Sequence, residues 1–217
     1  GCLQPLHVAA RVGATRVAAL LLAEGADARA LAVGPFDVLP TPSPLLPGPF
    51  GSFEPFEGAD VCALLGEPVH WAALHGDAAL LDVLVGMGAD LDARAMPVGP
   101  SFADMTNAEL NELVELSEDD FSETLTPLEA AFELAELGGG CGLSQCVRTL
   151  LARGATPEFW NAERGGFVGD PNCFHKLIVW GDDAAVKHVL RHKRFGLYAT
   201  APETQFGTAE TALHVAA

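Results

Sequence analysis

Seven histidines, five cysteines and a dense acidic run supply most of the side chains in this 217-residue chain that are suited to chemistry. His188 and His192 are spaced i, i+4, which puts two imidazoles on one side of a helix and can present two metal ligands. No acid follows at catalytic spacing, and Lys187, Arg191, Lys193 and Arg194 crowd the same stretch with positive charge. That segment reads as a basic exposed helix face. Cys141 and Cys146 have four residues between them and no second pair follows, so they read as free thiols. Gly138-Gly139-Gly140 lacks the following Lys-Ser or Lys-Thr and the preceding strand of a phosphate loop. Glu118, Asp119, Asp120 and Glu123 lack the alternating spacing and closing Glu of a calcium loop, and read as a solvated acidic face. Nothing assembles a nucleophile, a base and an oxyanion donor. The sequence assigns no catalytic, cofactor-binding or metal-ligating residue, and the chain is read as non-enzymatic.

Four of the remaining imidazoles, His7, His70, His175 and His214, share a single position in a repeated pattern. Residues 5–28 read PLHVAARVGATRVAALLLAEGADA and residues 68–93 read PVHWAALHGDAALLDVLVGMGADLDA. A third copy opens on Thr126-Pro127-Leu128-Glu129-Ala130-Ala131 and resumes at Cys146 with CVRTLLARGATP. The fourth runs from Cys173-Phe174-His175 through Trp180-Gly181-Asp182 to AAVKHVLRH, and a fifth opens as TALHVAA before Ala217. Units of this kind, repeated in order, predict a solenoid.

Each copy is predicted to be a helical hairpin. Pro5, Pro68 and Pro127 suit the first helical turn, where a missing N–H costs nothing. Thr126 is placed to cap its helix, with Glu129 completing a capping box. Ala9-Ala10 and Ala72-Ala73 keep the first helix thin, and Gly13, Gly76 and Gly181 end it in a left-handed residue. The second helix carries the apolar bulk, from Val17, Leu20, Leu21 and Leu22 in the first copy to Leu80, Leu81, Val83, Leu84 and Val85 in the second. One hairpin cannot bury its apolar face alone, so neighbours must stack.

The pattern resembles the ankyrin repeat family, most completely in the first two copies. Departures are Gln4, Glu67 and Asn172 where the family usually has Thr, Leu177-Ile178 in place of the Ala pair, and Leu137 to Leu143 between the helices of the third copy. The resemblance implies an all-α, ankyrin-type helix-turn-helix solenoid with long insertions between repeats. Residues 1–217 would form one ankyrin repeat domain with repeats near 4–33, 67–96, 126–159 and 172–196 and an incomplete fifth at 211–217. It also implies that the shared histidine bonds to neighbouring loop backbone.

Insertions are expected at 34–66 and 97–124. Seven prolines from Pro35 to Pro55 favour an extended loop in the first, with a short helix from Gly58 to Leu65 leading into the second repeat. In the second, Thr106 or Asn107 would cap a helix through Leu116, its apolar stripe Leu110, Leu113, Val114 and Leu116 opposed by Glu109, Glu112 and Glu115.

Charge narrows the partners. The chain carries a net −17, and residues 95–147 hold 11 acidic residues and no Lys or Arg. Phosphate binding runs on Lys and Arg, so the balance argues against nucleic acid and allows a basic protein partner. The longest uncharged run, Val38 to Phe53, contains five prolines and two glycines and is no spanning helix, so no membrane insertion is expected. The odd cysteine count and the missing leader before Gly1 point to a reducing, intracellular setting, cytoplasmic or nuclear, for an excerpt of a longer protein.

The function implied by the resemblance is protein–protein recognition, by a monomeric scaffold or adaptor segment that needs no cofactor. The alternative is a substrate-targeting segment of a larger enzyme whose catalytic domain lies outside these residues. Family members usually meet the partner through the concave face, which maps to Arg11 and Val12, Leu74 and His75, Phe132 and Glu133, and Val179 and Trp180. Trp71 is placed in the core. Glu118, Asp119 and Asp120 are the candidates for recruiting a basic partner.

Overall fold

Pro5 and Pro68 each open a short helix at the position where the missing N–H is harmless: α1, Pro5–Arg11, and α3, Pro68–Leu74. A turn at Gly13 or Gly76 follows, with φ of +66° and +73°, a left-handed conformation that a side chain would strain. The chain then returns as α2, Thr15–Ala23, or α4, Ala78–Gly86. A third hairpin pairs α5, Pro127–Glu136, with α6, Cys141–Arg153. The second helices stop at Gly25, Gly88 and Gly154, with φ of +94°, +94° and +102°.

The computed structural model describes residues 3–35, 63–98, 105–106, 108–109, 112, 124–136, 141–156, 158–161, 166–169, 177 and 183–190. Two compact units contain them, residues 1–42 with 55–155 and residues 43–54 with 156–217.

In the first unit the hairpins stack in sequence order. Helix α1 packs on α3 and α3 on α5, while α2 packs on α4 and α4 on α6. Buried Ala9, Ala10, Ala72, Ala73, Ala130 and Ala131 line the first helices, so these axes approach closely, and Trp71 is fully buried beside them. The second helices supply Leu22, Leu80, Leu81, Leu84, Val147, Leu150 and Leu151 to the core. Val17 and Leu20 do not join them, being 52% and 62% exposed. Helix α6 begins at Cys141, so residues 141–143 extend the helix where a loop was expected.

The expected Thr126 capping box is formed. The Thr126 N–H donates to Glu129 Oε2 at 2.6 Å, and the Glu129 N–H donates to Thr126 Oγ1 at 3.2 Å. Glu129 also takes Arg94 at 3.3 Å, from the end of the preceding repeat. Thr126→Ala should therefore cost about 1 kcal/mol in chemical denaturation at unchanged slope.

The chain is not all-α. Strands β1, Ala32–Pro35, β2, Ala63–Gly66, and β3, Met96–Val98, form an antiparallel sheet in that order, pairing Val33 with Leu65 and Ala63 with Val98. The helix expected over Gly58–Leu65 is thus a strand from Ala63. The run Val61–Leu65 is apolar without period, and such a run suits a helix or a two-sided strand equally. Pairing on both edges decides for the strand. Val33, Ala63, Leu65 and Val98 close a small core under it, with Leu31, Met96 and Met105 alongside. Both edge strands contain a proline, Pro35 and Pro97. A Cβ at Gly34 would meet Leu3 Cδ2 at 2.5 Å and Trp71 Cζ2 at 3.0 Å, so β1 passes close over the Trp71 ring and a side chain there would have to push Leu3 and the ring aside. Ala95 and Leu125 exchange backbone hydrogen bonds at 2.9 and 2.8 Å, bringing the third hairpin to the end of the second.

In the second unit, β4, Glu158–Asn161, pairs antiparallel with β5, Gly166–Gly169, and α7 spans Asp183–Leu190 with Val189 buried. His188 lies on α7 beside exposed Lys187, while His192 lies outside the described residues. The Pro-rich stretch from residue 36 to 62 and most of the acidic insertion also lie outside them.

Candidate interaction surface

The repeated histidines are fixed before any ligand arrives. His70 Nδ1 accepts the Glu67 N–H at 3.2 Å, so the ring proton sits on Nε2 and is donated to Ala93 O at 3.0 Å. His7 Nε2 lies 2.9 Å from Ala30 O and 3.3 Å from Gly66 O, bonding the loop of its own repeat and the start of the next. Both rings are buried, and burial pulls both down to about 4, so they are neutral near pH 7. The backbone bonding expected for this position is present in both described copies; His175 and His214 lie outside the described residues.

Glu67 stands beside them. Its carboxyl is buried, with Oε1 3.9 Å from Arg29 Nε, and its pKa is pushed up to about 8. Burial is the main cause, opposed by Arg29 and reinforced by Asp90 and Asp27. Arg29 is shared, because its Nη2 also donates to Asp90 Oδ2 at 3.0 Å. Two more side-chain ties cross between hairpins: Thr15 Oγ1 to Asp77 Oδ2 at 3.1 Å, and Arg153 to Asp82 at 3.1 Å. Sequence reasoning did not assign Arg29, Asp77, Asp90 or Arg153. The recurrence of Asp27 and Asp90 after Gly-Ala was the available signal.

The candidate partner-binding residues separate by burial. Arg11 is half-buried, Val12 is 68% exposed, and His75 is exposed, all at the ends of α1 and α3. Leu74 and Phe132 are buried and pack within the first unit. The physical reason is that both lie on the first-helix face that meets the neighbouring hairpin. Glu133 lies on α5. Val179, Trp180, Glu118, Asp119 and Asp120 lie outside the described residues. In the acidic insertion, Ala108, Glu109 and Glu112 are helical, and Thr106 caps that turn. Its N–H and Oγ1 each donate to Glu109 Oε2 at 2.7 Å, bonds that hold the Glu109 carboxyl below its usual range.

Cys146 is a free, buried thiol pushed up to about 12, a poor nucleophile. Among the described residues no three His, Cys, Asp or Glu side chains converge as metal ligands. No helix there is long and apolar enough to cross a membrane.

Residues 4–32 match the ankyrin repeat family. Among solved structures the chain is similar to the crystal structure of the human ASB11 ankyrin repeat domain. Identity is 18%, the match covers 99% of this chain and 92% of that one, and the TM-score is 0.27. No curated protein matches. The family match spans α1, the Gly13 turn, α2 and the loop that holds the His7 imidazole. That hairpin, residues 4–32, is the part of the chain that matches an ankyrin repeat.

Proposed function

We propose that the chain is a protein–protein interaction module, working as a scaffold or adaptor segment without chemistry of its own. Ankyrin repeats generally mediate such contacts. The observation that carries the reading is the sorting of one repeated position: His7 and His70 are locked to backbone, while the helix ends beyond them present Arg11, Val12 and His75 outward. Rigid helices that hold variable side chains at fixed spacing suit recognition. A binding role also fits side chains already committed to the fold, with the imidazoles tied to carbonyls and the Cys146 thiol buried. A reducing, intracellular location, cytoplasmic or nuclear, belongs to the same proposal, since Cys146 is a free thiol. So does a monomeric state.

Affinity capture with the whole chain tests the surface. Arg11→Glu, Val12→Asp and His75→Glu combined should abolish capture of a partner held by the wild type, with the far-UV spectrum unchanged. Retention by the triple variant would move recognition elsewhere. The acidic segment has its own arm. Glu118→Gln, Asp119→Asn and Asp120→Asn should lower the on-rate of a basic partner and flatten its salt dependence, because charges steer encounter over a screening length of about 8 Å. An unchanged salt series would leave those residues a solvated face.

A further inference from the structure

The position that His7 and His70 share is held in the third hairpin by Glu129, two residues after Pro127 as they are two after Pro5 and Pro68. Each imidazole reaches forward along the chain. His7 Nε2 meets Ala30 O, in the loop that closes its own repeat, and Gly66 O, just before the residue that caps α3. His70 Nε2 donates to Ala93 O in the corresponding loop, and the backbone of Leu125, just before Thr126, bonds the same ring. These clasps couple the first repeat to the second and the second to the third.

Glu129 keeps half of that arrangement. Its carboxylate accepts the Thr126 N–H, as His70 Nδ1 accepts the Glu67 N–H. An ionised carboxylate has no proton to give a carbonyl, and the same Oε2 takes Arg94, which belongs to the end of the preceding repeat. The chain beyond α6 departs as well. Gly25 and Gly88 lead into β1 and β3, two strands of one sheet, whereas Gly154 leads into β4, which pairs with β5 in a different sheet. The residue in the place of Ala30 and Ala93 is Phe159, already within β4 and set against Val168. The first compact unit ends at Ala155, next to that glycine.

We propose that Glu129 is a built-in break in the coupling between repeats, one that lets β4, β5 and α7 open while the three hairpins of the first unit stay folded. The stability of a solenoid is close to a sum of repeat terms and nearest-neighbour terms. Weakening one neighbour term therefore divides a single cooperative transition in two. The helix-end surface of Arg11, Val12 and His75 lies on the first two hairpins and persists when the later elements open.

Hydrogen exchange read by mass spectrometry on the whole chain, across a urea series, tests the break. In the wild type, peptides from β4, β5 and α7 should lose protection at lower urea than those from α3, α4 and α6. Glu129→His supplies a donor and keeps an acceptor for the Thr126 N–H. It should slow exchange in β4 by about fivefold, the effect of one added hydrogen bond, and raise the urea midpoint of β4, β5 and α7. Glu129→Gln, which adds an amide N–H without changing the shape of the side chain, should act in the same direction and serves if the histidine variant fails to fold. Coincident loss of protection throughout the wild type would overturn the proposal. So would a later unit whose midpoint neither substitution raises, because the break would then lie elsewhere.

Discussion

Replacing Glu67 with Gln should raise stability by an amount that grows with pH, from little at pH 4.5 to on the order of 4 kcal/mol at pH 8, at 1.36 kcal/mol per pH unit. The folded carboxyl is held up at about 8 against an ordinary value of 4.5, so its contribution is fully present below pH 4.5. It is lost as pH rises through 8, where the buried group must ionise between Asp90 and Asp27 with Arg29 its nearest cation. The histidines run the other way. His7 and His70 are held down at about 4 against 6.5, so what they contribute is present above pH 6.5 and is lost as pH falls through 4, about 3 kcal/mol each. The wild type should thus be most stable near pH 6.5, and Glu67→Gln should lose the alkaline limb while keeping the acid one. Urea denaturation at half-unit pH intervals reads both limbs. A difference between the two proteins that stays flat with pH would show that Glu67 ionises normally.

The second large effect is positional. Leu80→Ala should destabilise the chain by about 3 kcal/mol, whereas Val17→Ala, at the equivalent place one repeat earlier, should change stability by no more than about 0.5 kcal/mol. Leu80 is fully buried between α4 and its neighbours, and its removal leaves a cavity the helices cannot close. Val17 already faces solvent. Equal costs at the two sites would mean that α2 is covered in solution, and would point to an occupant on that face.

Local features were legible. The Pro at helix starts, the left-handed Gly13 and Gly76, the Thr126–Glu129 box and the buried Ala pairs all follow from interactions within a few residues, where sequence spacing is a direct guide. The histidine bonds were legible through the resemblance. Less legible was whatever depends on a neighbour. Periodicity identifies Val17 and Leu20 as an apolar face without saying whether another hairpin lies against it. The strand at Ala63–Gly66 depends on partners at Ala32–Pro35 and Met96–Val98, far away in sequence. Glu67 looks like an ordinary surface acid until Arg29 and Asp90 arrive from adjacent loops and it is found buried. Among the candidate partner residues, Leu74 shares its repeat position with half-buried Arg11, and only packing against the next hairpin separates them.

The placement of two prolines has a consequence for how the chain behaves at high concentration. A three-stranded sheet has two edge strands, and a flat apolar edge invites strand addition from other molecules and ultimately aggregation. The most apolar strand, Ala63-Leu64-Leu65-Gly66, is the central one and is paired on both sides. The marginal strands carry Pro35 and Pro97, each of which offers an approaching chain one N–H fewer and breaks the run of donors that a cross-β ladder needs. The sheet thus keeps its stickiest segment inside and closes its borders with the residue least able to extend them.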